Sequence, residues 1–120
     1  DICIVACGLM VPVALQTAEL LAQEGIGAAV VNMHTIKPID RELVSTMARR
    51  CRGIVTVEEH SVIGGLGSAV AEVLAETGGC PMVRVGIQDK FGKSGKPAEL
   101  FQAYGLTAEN VINQCRLLLG

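Results

Sequence analysis

The densest group of chemically capable side chains in this 120-residue chain is Glu58-Glu59-His60. Two carboxylates beside an imidazole are the ingredients of an acid–base pair, because a carboxylate orients a neighbouring imidazole and raises its affinity for a proton. The trio follows the apolar run 54–57 and precedes Gly64, Gly65, Gly67 and Ser68. A helix that starts in such a cluster presents unpaired backbone amides, which hold anions. The run therefore offers two kinds of work, proton transfer or anion binding. Adjacent strand residues point to opposite faces, so Glu58, Glu59 and His60 do not all converge while the strand stays regular. No nucleophile stands at a recognisable spacing, so a self-contained enzyme built on Glu59 and His60 ranks last. Hydrogen-bonded structural or interface contacts are the expected role of the three. Glu58 and Glu59 would repel an anion if they faced the helix start.

Other motifs fall short of their patterns. Gly65-Leu66-Gly67-Ser68-Ala69-Val70 opens like a dinucleotide fingerprint, but Val70 stands where the third small residue belongs. Residues 59–63 also lengthen a turn that the fingerprint keeps tight, and Asp89 is a partial match to the ribose-binding acid. Glycines at these positions equally let the loop turn and let a helix pack closely on a sheet. Gly92, Gly95 and Lys96 resemble a phosphate loop, but Lys90 and Pro97 replace its required glycine and hydroxyl residue. His34 and His60 are isolated, and two lone histidines make no metal site.

The elements that must position these residues are legible as alternating patterns. Residues 2–7, 28–33, 54–57 and 82–87 are continuous apolar runs, as in parallel strands covered on both faces. Between them, helical spacing recurs at Val11, Ala14, Leu15, Ala18, Leu21 and Ala22, with Pro12 in the first turn and Gly25 past the end. Asp40 is the expected N-cap of a helix carrying Leu43, Val44, Met47 and Ala48, closed near Gly53. A third helix carries Leu66, Ala69, Val70, Val73 and Leu74 and stops at Gly78-Gly79. Pro97 opens a short helix with Leu100, Phe101 and Tyr104, and Thr107 caps a last one bearing Val111, Ile112, Cys115 and Leu118. Short loops between strands and helices predict right-handed β-α-β units in an α/β fold, a three-layer α/β/α domain over residues 1–120.

Composition narrows the function classes. A chain of this length buries roughly two thirds of its unfolded surface, enough for one proper core. Phe91, Phe101 and Tyr104 are the aromatic residues, so that core is aliphatic, and they make a poor stacking platform for single-stranded nucleic acid. A net charge of −2 with interspersed signs leaves no polybasic footprint. No apolar stretch approaches the ~20 residues of a membrane span. The first residues read as a strand rather than a signal peptide. Five scattered cysteines without Cys-x-x-Cys spacing suit buried thiols in a reducing cytosol. Cys3 and Cys7 share a strand face but stand roughly 13 Å apart, too far to pair. The chain opens directly on a strand and is read as a fragment of a longer protein.

Taken in order, three segments resemble the C-terminal domain of transketolase: Asp1 to Gly8, Val31 to Asp40, and Val57-Glu58-Glu59-His60 through Gly64-Gly65-Leu66-Gly67. The resemblance continues through Gly86-Ile87-Gln88-Asp89-Lys90-Phe91-Gly92-Lys93-Ser94-Gly95 and Tyr104-Gly105-Leu106-Thr107, so it covers nearly the whole chain. The same domain closes 1-deoxyxylulose-5-phosphate synthase and the beta subunit of 2-oxoacid dehydrogenase decarboxylases. Phe91 to Gly95 and Tyr104 to Thr107 favour transketolase, in particular the form split into two polypeptides.

The resemblance implies an open, mostly parallel sheet of the transketolase C-terminal type. The family's domain adds one antiparallel strand, which normally precedes the segment matching Asp1 and is expected to be missing here. It further implies a part of a cytoplasmic transferase that moves two-carbon ketol units between sugar phosphates in pentose phosphate chemistry. Thiamine diphosphate and Mg2+ serve the complete enzyme and lie on other domains, so no cofactor-binding, catalytic or metal residue is expected here. The implied partners are the other transketolase domains, or an N-terminal section subunit, in a homodimer, with neither nucleic acid nor membrane involved. The alternatives are an anion- or nucleotide-binding regulatory module using the 59–68 loop with Lys90, Lys93 and Lys96, or the same domain from 1-deoxyxylulose-5-phosphate synthase.

Overall fold

A computed structural model of the chain describes residues 1–33, 39–61, 65–87 and 106–120, with the backbone alone at positions 59–61 and 87. Among the described residues, four strands, β1 (Ile2–Ala6), β2 (Ala28–Asn32), β3 (Gly53–Ser61) and β4 (Met82–Ile87), form a parallel sheet in the order β2-β1-β3-β4. Four helices accompany them there: α1 (Val11–Gln23), α2 (Arg41–Arg50), α3 (Leu66–Thr77) and α4 (Ala108–Leu119). The expected fold class is therefore observed. The helix proposed after Pro97, the 90–96 loop, Asp89 and His34 lie outside the described residues.

Each strand presents alternate residues to two cores. Ile2, Ile4, Ala6, Val55, Val57 and Val85 meet α1 and α4, with Ala14, Leu21, Val111 and Ile112. Cys3, Val5 and Ile54 meet α2 and α3, with Val44, Ala48, Val70 and Val73. Burial on both faces is why these strands read as continuous apolar runs rather than as alternating ones.

Helix ends follow the capping residues read from the sequence. The Leu43 N–H donates to Oδ1 of Asp40 at 3.0 Å, and the Asn110 N–H donates to Oγ1 of Thr107 at 3.3 Å. Gly78 and Gly79 end α3 at φ +70° and +137°, a left-handed turn that side-chain-bearing residues resist. Each helix pair is joined by an exposed ion pair, Arg41 with Glu76 across α2 and α3, and Arg116 with Glu24 at 2.6 Å across α4 and α1.

Two features depart from the sequence reading. A short 3-10 turn, Gly8–Met10, precedes α1 and buries Met10. Strand β3 also runs four residues past the expected end at Val57, carrying Glu58, Glu59, His60 and Ser61 as strand backbone. Pairing with β4 pulls this polar extension into the sheet, a long-range contact that local hydropathy does not reveal.

Candidate functional site

The strand order reverses direction between β1 and β3, the place where open α/β sheets gather ligands beside the carboxyl ends of strands. The last paired residues there are Ala6 and Val57, so Glu58 is the first residue of β3 past the β1 ladder. The 3-10 turn Gly8–Met10 packs against β3 at this edge. Across the other side of β3 the ladder is irregular. From Val57 to Ser61 the chain advances four residues, while β4 advances two, from Val85 to Ile87. The surplus residues bulge within Glu58-Glu59-His60, and bulges of this kind re-aim side chains beside functional edges.

Glu58 is the best-defined member of the group. It is 1% exposed, and its carboxylate faces the start of α3. The Leu66 N–H donates to Oε1 at 2.9 Å and the Gly67 N–H donates to Oε2 at 2.7 Å. The first two amides of an α-helix lack partners within the helix, and its amino end carries partial positive charge. Gly65, at the N-cap position, has no side chain to serve them, and Glu58 supplies the acceptor from eight residues upstream. Charge-assisted bonds of this type contribute about 1.5–3 kcal/mol each, and burial removes water as a competitor.

This contact changes the reading of the glycine run. The sequence left the α3 amides open to an outside anion and expected Glu58 to repel one. Instead Glu58 is itself the anion held there, so an incoming phosphate or carboxylate would have to displace it from Leu66 and Gly67. The same contact places Glu58 inside the domain, away from surface partners. The positions of Glu59 and His60 in the bulged strand are fixed by the backbone, and Gly64 lies outside the described residues.

Gly67 and Ser68 sit under a cation that the sequence reading did not single out. A methyl group added at Gly67 would approach Cδ of Arg84 to 2.6 Å and Oγ1 of Thr56 to 3.0 Å. The missing side chain thus lets α3 lie directly on Thr56 and the stem of Arg84. Nη1 of Arg84 donates to Oγ of Ser68 at 3.4 Å, so a guanidinium lies along the first turn of α3. Thr56 is fully buried, and its hydroxyl has no hydrogen-bond partner. Thr56 and Arg84 are paired across β3 and β4, a juxtaposition that only the strand register reveals. No group of three or more metal-ligating side chains is assembled among the described residues.

Comparison with known proteins gives the site its context. The family model described as "Transketolase, C-terminal domain" matches residues 1–111. The chain is 49% identical over 112 residues to a putative transketolase C-terminal section of Methanocaldococcus jannaschii, covering 92% of this chain and 34% of that protein. It is 48% identical over 119 residues to 1-deoxy-D-xylulose-5-phosphate synthase of Heliobacterium modesticaldum, covering 98% of this chain and 18% of that protein. Among solved structures, a split-gene transketolase described as an inactive beta4 tetramer superposes with a TM-score of 0.94 at 53% identity, over 99% of this chain and 39% of that one. The chain thus spans about a third or less of the length of the curated relatives named here. With a parallel α/β sheet, the Glu58–α3 junction at its carboxyl edge and a family match along almost its full length, the chain belongs to the transketolase C-terminal domain family.

Proposed function

We propose that this chain is the C-terminal assembly and dimerisation domain of a thiamine-diphosphate-dependent transketolase, with no catalytic residue of its own. The observation that carries this reading is the state of Glu58. The buried carboxylate of the most chemically equipped run accepts two backbone amides and holds α3 to β3, so it is engaged structurally rather than offered to a substrate. Likeness to a transketolase C-terminal section and to a split-gene transketolase supports the two-carbon transfer reaction and a partner section that carries the cofactor and Mg2+. Leu9 and Leu15, 60% and 56% exposed on the 3-10 turn and α1, supply apolar surface for such a partner. In this reading residues 1–120 act as one domain, and Glu59, His60 and the segment at Gly64 and Gly65 make contacts at the interface.

Calorimetry with thiamine diphosphate and Mg2+ tests the proposal. The chain alone gives no heat of binding, and ketol transfer between sugar phosphates is recovered when the cofactor-bearing section is added. Micromolar binding by this chain alone, or failure of the combined sections to transfer a two-carbon unit, overturns it.

A second reading, the same domain serving a 1-deoxy-D-xylulose-5-phosphate synthase, is favoured by the 48% identity across almost the whole chain. Assaying the combined sections for both reactions separates the two.

A further inference from the structure

The amino edge of the sheet, opposite the Glu58 junction, gathers three thiols from three separate segments. Cys3 lies near the start of β1, Cys51 directly follows α2, and Cys80 lies between α3 and β4. All three pack into the same core beneath α2 and α3. Cys3 is fully buried, whereas Cys51 and Cys80 are half-buried and reachable from solvent.

Backbone geometry brings Cys51 and Cys80 together. Ile54 pairs with Met82, and the Ile54 N–H donates to the carbonyl of Pro81 at 3.0 Å. Pro81 therefore lies against Ile54, three residues after Cys51, and Cys80 precedes Pro81 directly, with both thiols in the core beneath α2 and α3. The α2 end and the α3–β4 turn are also in direct contact. A methyl group at Gly79 would meet Cβ of Ala48 at 2.5 Å and its carbonyl carbon and oxygen at 3.2 Å, so no side chain separates the two segments.

The thiols also feel one another's charge. Burial, with Cys51 and then Cys80 nearby, pushes Cys3 up to about 12. Burial, and then Cys51, raises Cys80. Cys51 is flanked by Arg49, Arg50 and Arg52, a basic setting that draws in anionic co-reactants.

We propose that Cys51 and Cys80 are a redox modification site, closing into a reversible disulfide on reaction with small anionic disulfides of the oxidised-glutathione class. The Cys51 thiolate attacks one sulfur of the small disulfide, whose S–S bond breaks and releases one small thiolate. The Cys80 thiol then loses its proton to water and attacks the Cys51 sulfur of the mixed disulfide, releasing the second small thiolate. Two protein thiols are oxidised and one small disulfide is reduced to two thiols, so electrons balance with no other oxidant. Cys3, buried and held protonated, stays out of the exchange.

Incubating the complete protein with oxidised glutathione, alkylating remaining thiols and mapping it without reductant provides the test. The protease must not be trypsin, because Arg50 and Arg52 bracket Cys51. Expected are a Cys51–Cys80 linked peptide, the loss of two alkylatable thiols, and their return with dithiothreitol. In Cys80→Ser the glutathione adduct persists on Cys51, and in Cys51→Ser no linkage forms. Overturning results are a Cys51 that stays alkylatable, an adduct that persists in the unsubstituted protein, or a linkage through Cys3, Cys7 or Cys115.

Discussion

Toward α1 and α4 the strands present Ile2, Ile4, Ala6, Val55, Val57 and Val85; toward α2 and α3 they present Cys3, Val5, Ile54, Thr56 and Glu58. Both sets are buried to a similar degree, and they serve different ends. The core of the first face is held by apolar contact, which is non-directional and forgiving of rearrangement. The second carries a carboxylate, a hydroxyl and a set of thiols, and the carboxylate is tied to the Leu66 and Gly67 amides of α3. Directional contacts fix where α3 begins and how the bulged end of β3 leaves the sheet. The face with polar groups therefore positions the candidate site, and the apolar face supplies the platform.

Moving a carboxylate from one face to the other breaks the contrast most severely. Val55→Glu puts an acid in the middle of the α1/α4 core, where no helix amino end receives it. An unpaired buried charge costs enough to cancel the whole ~5–15 kcal/mol of a domain's stability. The expected result is loss of the cooperative unfolding transition in circular dichroism. A folded Val55→Glu protein would show that the two faces tolerate charge alike.

Removing the native carboxylate has the next largest effect. Glu58→Ala leaves the Leu66 and Gly67 amides buried without acceptors and is expected to lower stability by about 3–5 kcal/mol. Glu58→Gln keeps one acceptor oxygen and costs about 1–3 kcal/mol. Urea midpoints at unchanged slope measure both. A loss below about 1 kcal/mol for Glu58→Ala would mean that the junction does not hold α3 in place.

Alkaline titration separates the faces more gently. Burial pushes Cys3 up to about 12 on one face and Cys115 up to about 11 on the other, against an ordinary 9.0. Above pH 9 the unfolded chain releases these protons while the folded chain retains them. Stability contributed by the neutral thiols is thus intact below pH 9 and falls as pH rises, at most by about 1.4 kcal/mol per pH unit per thiol. The loss extends to about pH 11 for Cys115 and about pH 12 for Cys3. Chemical denaturation across this range should show a shallower decline in Cys3→Val and in Cys115→Val, with the Cys3 effect persisting to higher pH. Identical pH profiles for both variants and the unsubstituted protein would remove the thiols from the account.

The smallest effect is expected at Thr56. Its hydroxyl is buried without a partner, so Thr56→Val relieves an unmet hydrogen bond at nearly constant shape. Stability should stay level or rise by up to about 1 kcal/mol, read from the thermal midpoint. A clear loss would reveal a hydrogen bond made by this hydroxyl in the complete protein.

The sequence by itself determined the layers of this protein. Uninterrupted apolar runs at residues 2–7 and 28–33 demand strands covered on both sides, and Asp40 and Thr107 mark helix starts through bonds that span three residues. Gly78-Gly79 stops α3 for an equally local reason, a backbone conformation that side chains disfavour. Such signals are short-range, so a linear reading captures them, and the ordered motifs from Asp1 to Thr107 were enough to point to the family. The tertiary structure decided what the Glu58-Glu59-His60 run does with its most buried member. Whether Glu58 repels an anion at α3 or becomes that anion depends on where β3 delivers its carboxylate, and pairing with β1 and β4 sets that position. Placing Arg84 over Gly67, and Gly79 against Ala48, likewise needed the tertiary arrangement. These contacts join residues 17 to 31 positions apart, and no local pattern in a chain records which distant segment will lie alongside.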